Sequence, residues 1–365
     1  MTKIQMLYMA ATFVVSFIFS FASVPVARWT AYKIGAIDVP KDERRVHKTP
    51  IPLLGGLAIF FGFLVGVLSF GTVDRQLIAT LAGAVIIVVL GVIDDTKPLS
   101  AKLKFVVQLV AAFIVVYFGD IKISVFTNPN VFSNEQYLVL NDYLAIPATI
   151  LWIVTITNAV NLIDGLDGLA AGVSSITSVT LVFISLSLGQ YAIAITAIAV
   201  AGACLGFLPF NFNPAKMFMG DTGATFLGFI LAILSIQGVF KSYAVITFAV
   251  PILMFGLPVF DTSFAVLRRL LTGKNIMSPD RGHLHHRLLD FGFSQKQTVF
   301  ILYAISGVLG ITAVILAESG VLRALLLVIG VLIALCIGSI LMKNDKKSSA
   351  ETEKTANNTE NNDKQ

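Results

Sequence analysis

The chain carries Ala145-Ile-Pro-Ala-Thr-Ile-Leu-Trp-Ile-Val-Thr-Ile-Thr-Asn158-Ala-Val-Asn161-Leu-Ile-Asp164-Gly-Leu-Asp167-Gly168-Leu169. An apolar run ends in two carboxylates and two glycines, and a second apolar run begins at once. That is the pattern of one membrane-spanning helix handing over to the next through a polar mouth. Cutting the whole sequence at charged or Pro/Gly/Asn clusters gives eleven spans of roughly that kind, at 4–27, 53–71, 76–93, 105–119, 145–158, 169–187, 190–209, 222–239, 243–260, 298–316 and 321–342. Composition agrees: 56% of the 365 residues are apolar, only 13% are charged and mean hydropathy is +0.85, which excludes a soluble globular protein. The expected fold is an all-α polytopic membrane protein, with residues 1–342 as the membrane domain. Residues 343–365 are Lys, Asn, Glu, Ser and Thr with almost nothing apolar, so a disordered tail is expected there.

Charge sets the expected orientation. The first apolar stretch is longer than a signal-peptide core and its basic cluster follows it, so it reads as a retained helix. With eleven spans the loops fall into two sets, one holding 21 of the 26 Lys and Arg residues and the other 5. The rich set belongs in the cytoplasm, giving an N-out, C-in chain. The net charge of +5 is therefore topogenic, and nucleic acid is not an expected partner. Cys204 and Cys336 both lie in apolar runs and read as packing residues. Residues 120–144 form the one long external loop, where alternating Ile121, Ile123 and Val125 and a second run from Tyr137 to Leu140 predict a small β-hairpin.

Six carboxylates stand at helix mouths on the cytoplasmic side: Asp94, Asp95, Asp164, Asp167, Asp221 and Asp261. Any one could cap a helix. Six on one face, beside basic loops, fit a divalent ion and a phosphate ester better. Asp94 and Asp95 precede Lys102 and Lys104, which can face phosphate. Asn161, Asp164 and Asp167 share a helix face by spacing, unless Gly165 and Gly168 open the segment into a loop. Gly220-Asp221-Thr222-Gly223 opens a helix whose amides point at an anion. His283, His285, His286 and Arg287 form a basic cluster better suited to phosphate than to zinc, since no cysteine is near. His47 and Lys48 lie in another basic loop on the same face, where an ordinary topogenic cluster is the competing reading. Two classes survive: a transferase joining a soluble nucleotide to a membrane lipid, and an ion-coupled secondary transporter. Spans without central charges favour the enzyme.

Five motifs in order resemble the polyprenyl-phosphate N-acetylhexosamine-1-phosphate transferases. They are Arg45-Val-His47-Lys-Thr-Pro-Ile-Pro-Leu-Leu-Gly-Gly56, Asp94-Asp95 with Leu99-Ser-Ala-Lys-Leu-Lys104, Asn158-Ala-Val-Asn161-Leu-Ile-Asp-Gly-Leu-Asp-Gly-Leu169, Asn213-Pro-Ala-Lys-Met-Phe218-Met-Gly-Asp-Thr-Gly223 and His283-Leu-His-His-Arg287. The resemblance implies eleven spans and a cytoplasmic active site in the plasma membrane. His-Leu-His-His, in place of three consecutive histidines, is similar to the branch that uses UDP-N-acetylglucosamine (UDP-GlcNAc). It implies transfer of GlcNAc-1-phosphate to undecaprenyl phosphate with release of UMP, at the start of wall teichoic acid or a related polymer. The peptidoglycan enzyme that takes UDP-MurNAc-pentapeptide is the alternative within the family. Also implied are Mg²⁺, with Mn²⁺ as a substitute, and a homodimer as one option. The residue roles carried over are Asp221 as metal ligand assisted by Asp95 or Asp164, Asp94 acting on the lipid phosphate, Asn161, Asp167 and Phe218 around uridine, and Lys104, His47, Lys48, His283, His285, His286 and Arg287 on phosphates and sugar. Ala224 departs from the family, which often places Ser there.

Overall fold

A computed structural model describes residues 2–39, 50–127, 137–240, 248–272 and 282–319. Its helices begin where side chains can satisfy the first amides. Thr2 and Gln5 form a capping box for α1 (Lys3–Ile34), Asp74 caps α3 (Arg75–Thr96), Ser100 caps α4 (Ala101–Gly119) and Asn141 caps α5 (Asp142–Leu162). Between them lie α2 (Gly55–Phe70) and two small antiparallel pairs: β1 (Ile37–Asp38) with β2 (Ile51–Pro52), and β3 (Val125–Thr127) with β4 (Tyr137–Val139). Then follow α6 (Leu169–Ser187), α7 (Tyr191–Asn211), α8 (Gly220–Ser235), α9 (Ala249–Met254), α10 (Gly256–Leu271), α11 (Leu284–Asp290) and α12 (Gln295–Ser319). Eight helical stretches among the described residues are long and apolar enough to cross a membrane, and α2 is a shorter apolar helix. The chain is a polytopic membrane protein. Contacts gather Met1–Glu318 into one unit; Ser319–Gln365 forms a second, nearly all of it outside the described residues.

The layering is that of a bundle in lipid. Leu7, Val26, Ile78, Val110 and Tyr117 point outward, and α8 with the π-helical turn Ile236–Phe240 that continues it is enclosed on every side by α2, α3, α5 and α6. Lipid tails are as apolar as leucine, so helices are held together by close packing and internal polar pairs. Small residues supply the packing. Gly62 and Gly66 of α2 admit Ser20 and Ser16 of α1, while Gly202 and Gly206 of α7 lie against the carbonyls of Phe13 and Phe17 on the other side of α1. Amides supply the pairs: Asn158 Nδ2 donates to Gln108 Oε1 at 2.7 Å and Gln237 Nε2 to Gln76 Oε1 at 3.2 Å.

Several spans differ from expectation. The first runs on to Ile34, past Pro25, until Gly35 ends it in the left-handed region. The fifth, expected at 145–158, covers 21 residues, because Asn141 starts it early and Gln108 satisfies Asn158 inside it. In the stretch expected at 243–260 as one span, the residues described from 248 on form two helices, broken at Phe255, with Pro258 in the first turn of α10 where no helical amide is needed. The eleventh span, the polar tail and the centre of the predicted hairpin lie outside the described residues.

A Cβ on Gly206 would stand 2.3 Å from the Phe17 carbonyl oxygen, whereas one on Gly307 in α12 meets nothing within 4 Å. Gly206→Val should therefore force α7 off α1 and cost about 1–3 kcal/mol. Thermal unfolding of the purified protein in detergent should fall for Gly206→Val and hold or rise for Gly307→Ala.

Candidate active site

Three connecting segments fold against each other at one end of the bundle. The residues after α7 run back beside β2: Phe218 N donates to Pro52 O, Gly55 N to Phe218 O and Gly56 N to Met219 O, all at 2.9–3.0 Å. Buried Asn211 joins this segment to the α5–α6 loop, accepting from Gly168 N and donating to Met217 O. Asp167 Oδ2 accepts from Asn213 Nδ2 at 2.9 Å and Ala215 N at 3.0 Å. Helix α5 stops at Leu162, so the glycine-bearing segment 163–168 is a loop. A cavity of about 580 Å³ opens between these segments, within the range of small-molecule sites. Asp38, Asp95, Asn161, Asp164, Asp167, Phe218, Asp221 and His286 border it.

The carboxylates occupy different environments. Met219 gives α8 no side-chain cap. Asp95 on α3 replaces one, its Oδ1 accepting from Asp221 N at 2.8 Å and its Oδ2 from Thr222 N and Thr222 Oγ1 at 3.1 and 2.6 Å. Gly220 permits this approach: its φ is +69°, and a Cβ there would lie 2.4 Å from Asp95 Oδ2. Asp221 then faces the cavity, with Asn161 Nδ2 on Oδ1 at 3.1 Å and Lys104 Nζ on Oδ2 at 2.8 Å. Lys104 also reaches Asp94 Oδ2 at 2.9 Å, and the other Asp94 oxygen accepts from Leu99 N. The Asp164 carboxylate has no hydrogen-bond partner among the described residues. Burial, and then the charges of Asp221, Asp95 and Asp167, push it up to about 7.

The His segment reaches the same end through α11. His286 borders the cavity. His285 is buried, its Nε2 where a Cβ on Gly165 would stand, and burial lowers it to about 4, so it is neutral at pH 7. His283 is also buried, with Nδ1 on Asp261. The Arg287 guanidinium lies 5.1 Å over the Phe264 ring of α10.

Residues 77–239 match the profile described as Glycosyl transferase family 4. The chain is 42% identical, over 89% of both lengths, to the probable undecaprenyl-phosphate N-acetylglucosaminyl 1-phosphate transferase of Bacillus subtilis (strain 168). It belongs to that family. It is also 34% identical to the decaprenyl-phosphate N-acetylglucosaminephosphotransferase of Mycobacterium tuberculosis, over 80% of this chain and 78% of that one. The undecaprenyl-phosphate alpha-N-acetylglucosaminyl 1-phosphate transferase of Escherichia coli (strain K12) is 27% identical over 83% of this chain and 82% of its own.

In this family member the sequence-derived set is only partly gathered. Asp95, Asn161, Asp164, Asp167, Phe218, Asp221 and His286 border the cavity, and Asp94 and Lys104 join it through Asp221. Asp167 is engaged in holding the 211–219 segment, and both Asp95 oxygens are taken by α8. His283 and His285, expected on phosphates and sugar, are buried against protein, and Arg287, expected with them, is exposed over the Phe264 ring, because a short helix presents only one side to the cavity. His47 and Lys48 lie outside the described residues. Sequence reading did not select Asp38, brought in by the two-residue β1–β2 pair, nor Asn211, Asn213 and Gln295, which no spacing rule marks.

Asp94 and Asp95 are adjacent, identical in type and unequal in structural weight. Asp95→Ala strands three α8 donors and should cost about 2–4 kcal/mol. Asp94→Ala leaves Lys104 its bond to Asp221 and should cost less. Thermal melts of the two variants side by side check the order, and equal losses would contradict the capping role.

Proposed function

We propose that the chain transfers N-acetylglucosamine 1-phosphate from UDP-GlcNAc to undecaprenyl phosphate, releasing UMP and leaving undecaprenyl-diphosphate-GlcNAc. The observation that carries the reading is the carboxylate-lined cavity at the bundle end, with Asp221 held between Lys104 and Asn161. The names of its relatives supply the donor and acceptor class. The first lipid-linked step of wall teichoic acid or a related surface polymer is the place that suits this product. The charge split between loops supports a plasma-membrane protein of eleven spans, N-out and C-in, with the site facing the cytoplasm.

Two anions must meet, so charge is the barrier. Among the described residues no three His, Cys, Asp or Glu side chains form a ready metal cage. That donor set still fits Mg²⁺, which takes one or two carboxylates and fills its remaining positions with water and substrate phosphates. Asp221 and the unpartnered Asp164 would hold it. When bound, the ion neutralises charge on the diphosphate. The protein's own groups do the rest. Asp95 fixes α8 so that Asp221 faces inward. Lys104, paired with Asp94 and Asp221, stands ready to donate to a phosphate oxygen, and Asp94 orients the lipid phosphate. Phe218 and Asn161 border the space for uridine, and His286 faces the sugar diphosphate. An oxygen of the lipid phosphate attacks the sugar-linked phosphorus, a new P–O bond forms, and the bond to the bridging oxygen breaks as UMP leaves.

Purified protein is incubated with undecaprenyl phosphate, Mg²⁺ and radiolabelled UDP-GlcNAc or UDP-MurNAc-pentapeptide. Label should enter the lipid from UDP-GlcNAc alone, stop with EDTA and fall at least about 100-fold in Asp221→Asn. Labelling from the pentapeptide alone would replace the donor, and none from either would remove the transferase reading.

A further inference from the structure

Asp261 lies outside the carboxylate cluster, does not border the cavity, and has no part in the mechanism above. Its side chain and that of His283 are each 7% exposed. Oδ2 lies 2.8 Å from His283 Nδ1, and Oδ1 accepts from Leu284 N at 2.7 Å. Burial alone would raise Asp261, but the bonds from His283 and the Leu284 amide outweigh it and hold the carboxyl below its usual range. An ionised carboxylate only accepts, so His283 must carry its proton on Nδ1. Leu284 is the first residue of α11, whose N-cap, His283, makes no side-chain bond to the helix. Asp261 is thus both the cap of α11 and the partner that orients His283.

The grip continues along one face of α10. Phe264 and Arg268 follow Asp261 at i+3 and i+7. Arg268 Nη1 donates to Gly282 O at 3.0 Å, and the guanidinium groups of Arg268 and Arg287 lie 6.0 and 5.1 Å from the Phe264 ring centre. Seven residues are too few for a helix to persist alone, so α11 depends on this face. From His283 the contact passes inward. His283 and His285 stack at 5.7 Å with 7° between planes, His285 abuts Gly165 beside Asp164, and His286 lies 4.3 Å from His285 at the cavity wall.

We infer that Asp261 is a positioning residue for the sugar-nucleotide site: through His283 it fixes α11, and so sets His286 and the 163–168 loop against the donor. The inference rests on the donor reading proposed above for its kinetic consequence, and on the fold alone for its structural one. Asp261 touches no substrate.

Asp261→Asn keeps an acceptor for Leu284 N but presents an amide in place of one carboxylate oxygen. The KM for UDP-GlcNAc should rise roughly tenfold to a hundredfold, and the KM for undecaprenyl phosphate should stay within about twofold. In a His283→Gln background the same substitution should add little, because the two act as a unit. Hydrogen exchange should quicken on residues 282–290 and 163–168 and stay unchanged elsewhere, a readout that needs no donor. Equal loss toward both substrates, multiplicative effects in the double variant, or unchanged exchange would each overturn the inference. If Asp261→Asn does not fold, Asp261→Glu carries the same tests, since it keeps the charge and moves it by one methylene. A wild-type protein that labels no lipid would sink the donor reading while the exchange comparison still decides the role of Asp261.

Discussion

The bond between Asp95 and the first amides of α8 is the constraint on which the site depends. Helix α8 is enclosed by its neighbours, so its leading N–H groups need protein partners. Two carboxylate oxygens from α3 supply them, with the Thr222 hydroxyl as a third donor. Once that register is set, Asp221 can point only into the cavity, within reach of Lys104 from α4 and Asn161 from α5. Four helices are thereby tied at one point. A carboxylate that looks like half of an acidic pair in sequence is, in the fold, the clamp that orients another carboxylate.

Membrane packing explains how such a point can exist. Small residues bring α1, α2 and α7 into close contact, and paired amides hold α3 to the turn that continues α8 and α4 to α5. The polar segments are then free to gather at one end of the bundle. Leu54 shows how tightly they are held. It is fully buried with φ at +71°, a conformation that costs a non-glycine residue about 1–2 kcal/mol, just before Gly55 and Gly56 bond the 218–219 backbone.

Hydropathy made most helices legible, because a run long enough to cross a bilayer has few other uses. It did not show where polar residues could stay inside: Asn158 looks like the end of a span until Gln108 is placed beside it. Nor did it foresee the break at Phe255, where proline and glycine interrupt an otherwise apolar run. At the site, residue type and spacing pointed to six aspartates, Lys104, Asn161 and Phe218, and all but Asp261 gather at or beside the cavity. Direction was not legible. The His segment reads as four equivalent phosphate ligands, yet α11 shows the cavity only His286, and Asp38 arrives through strands two residues long that carry no periodic signal.

The electrostatics of the cavity supply the last step. Five carboxylates border it, Asp38, Asp95, Asp164, Asp167 and Asp221, and no Lys or Arg is among the described residues that line it. Asp95 and Asp167 spend their charge on backbone and amide donors, and Lys104 shares itself between Asp94 and Asp221. The Asp164 carboxylate has no such donor among the described residues, and a group pushed up to about 7 by burial and like charges is one that gains from any cation brought near. The described side chains that line such a space would repel a bare diphosphate. A diphosphate that brings a divalent ion meets attraction instead, so in the proposed reaction nucleotide and metal affinity should reinforce each other, with Asp164 and Asp221 as the side chains through which they are coupled.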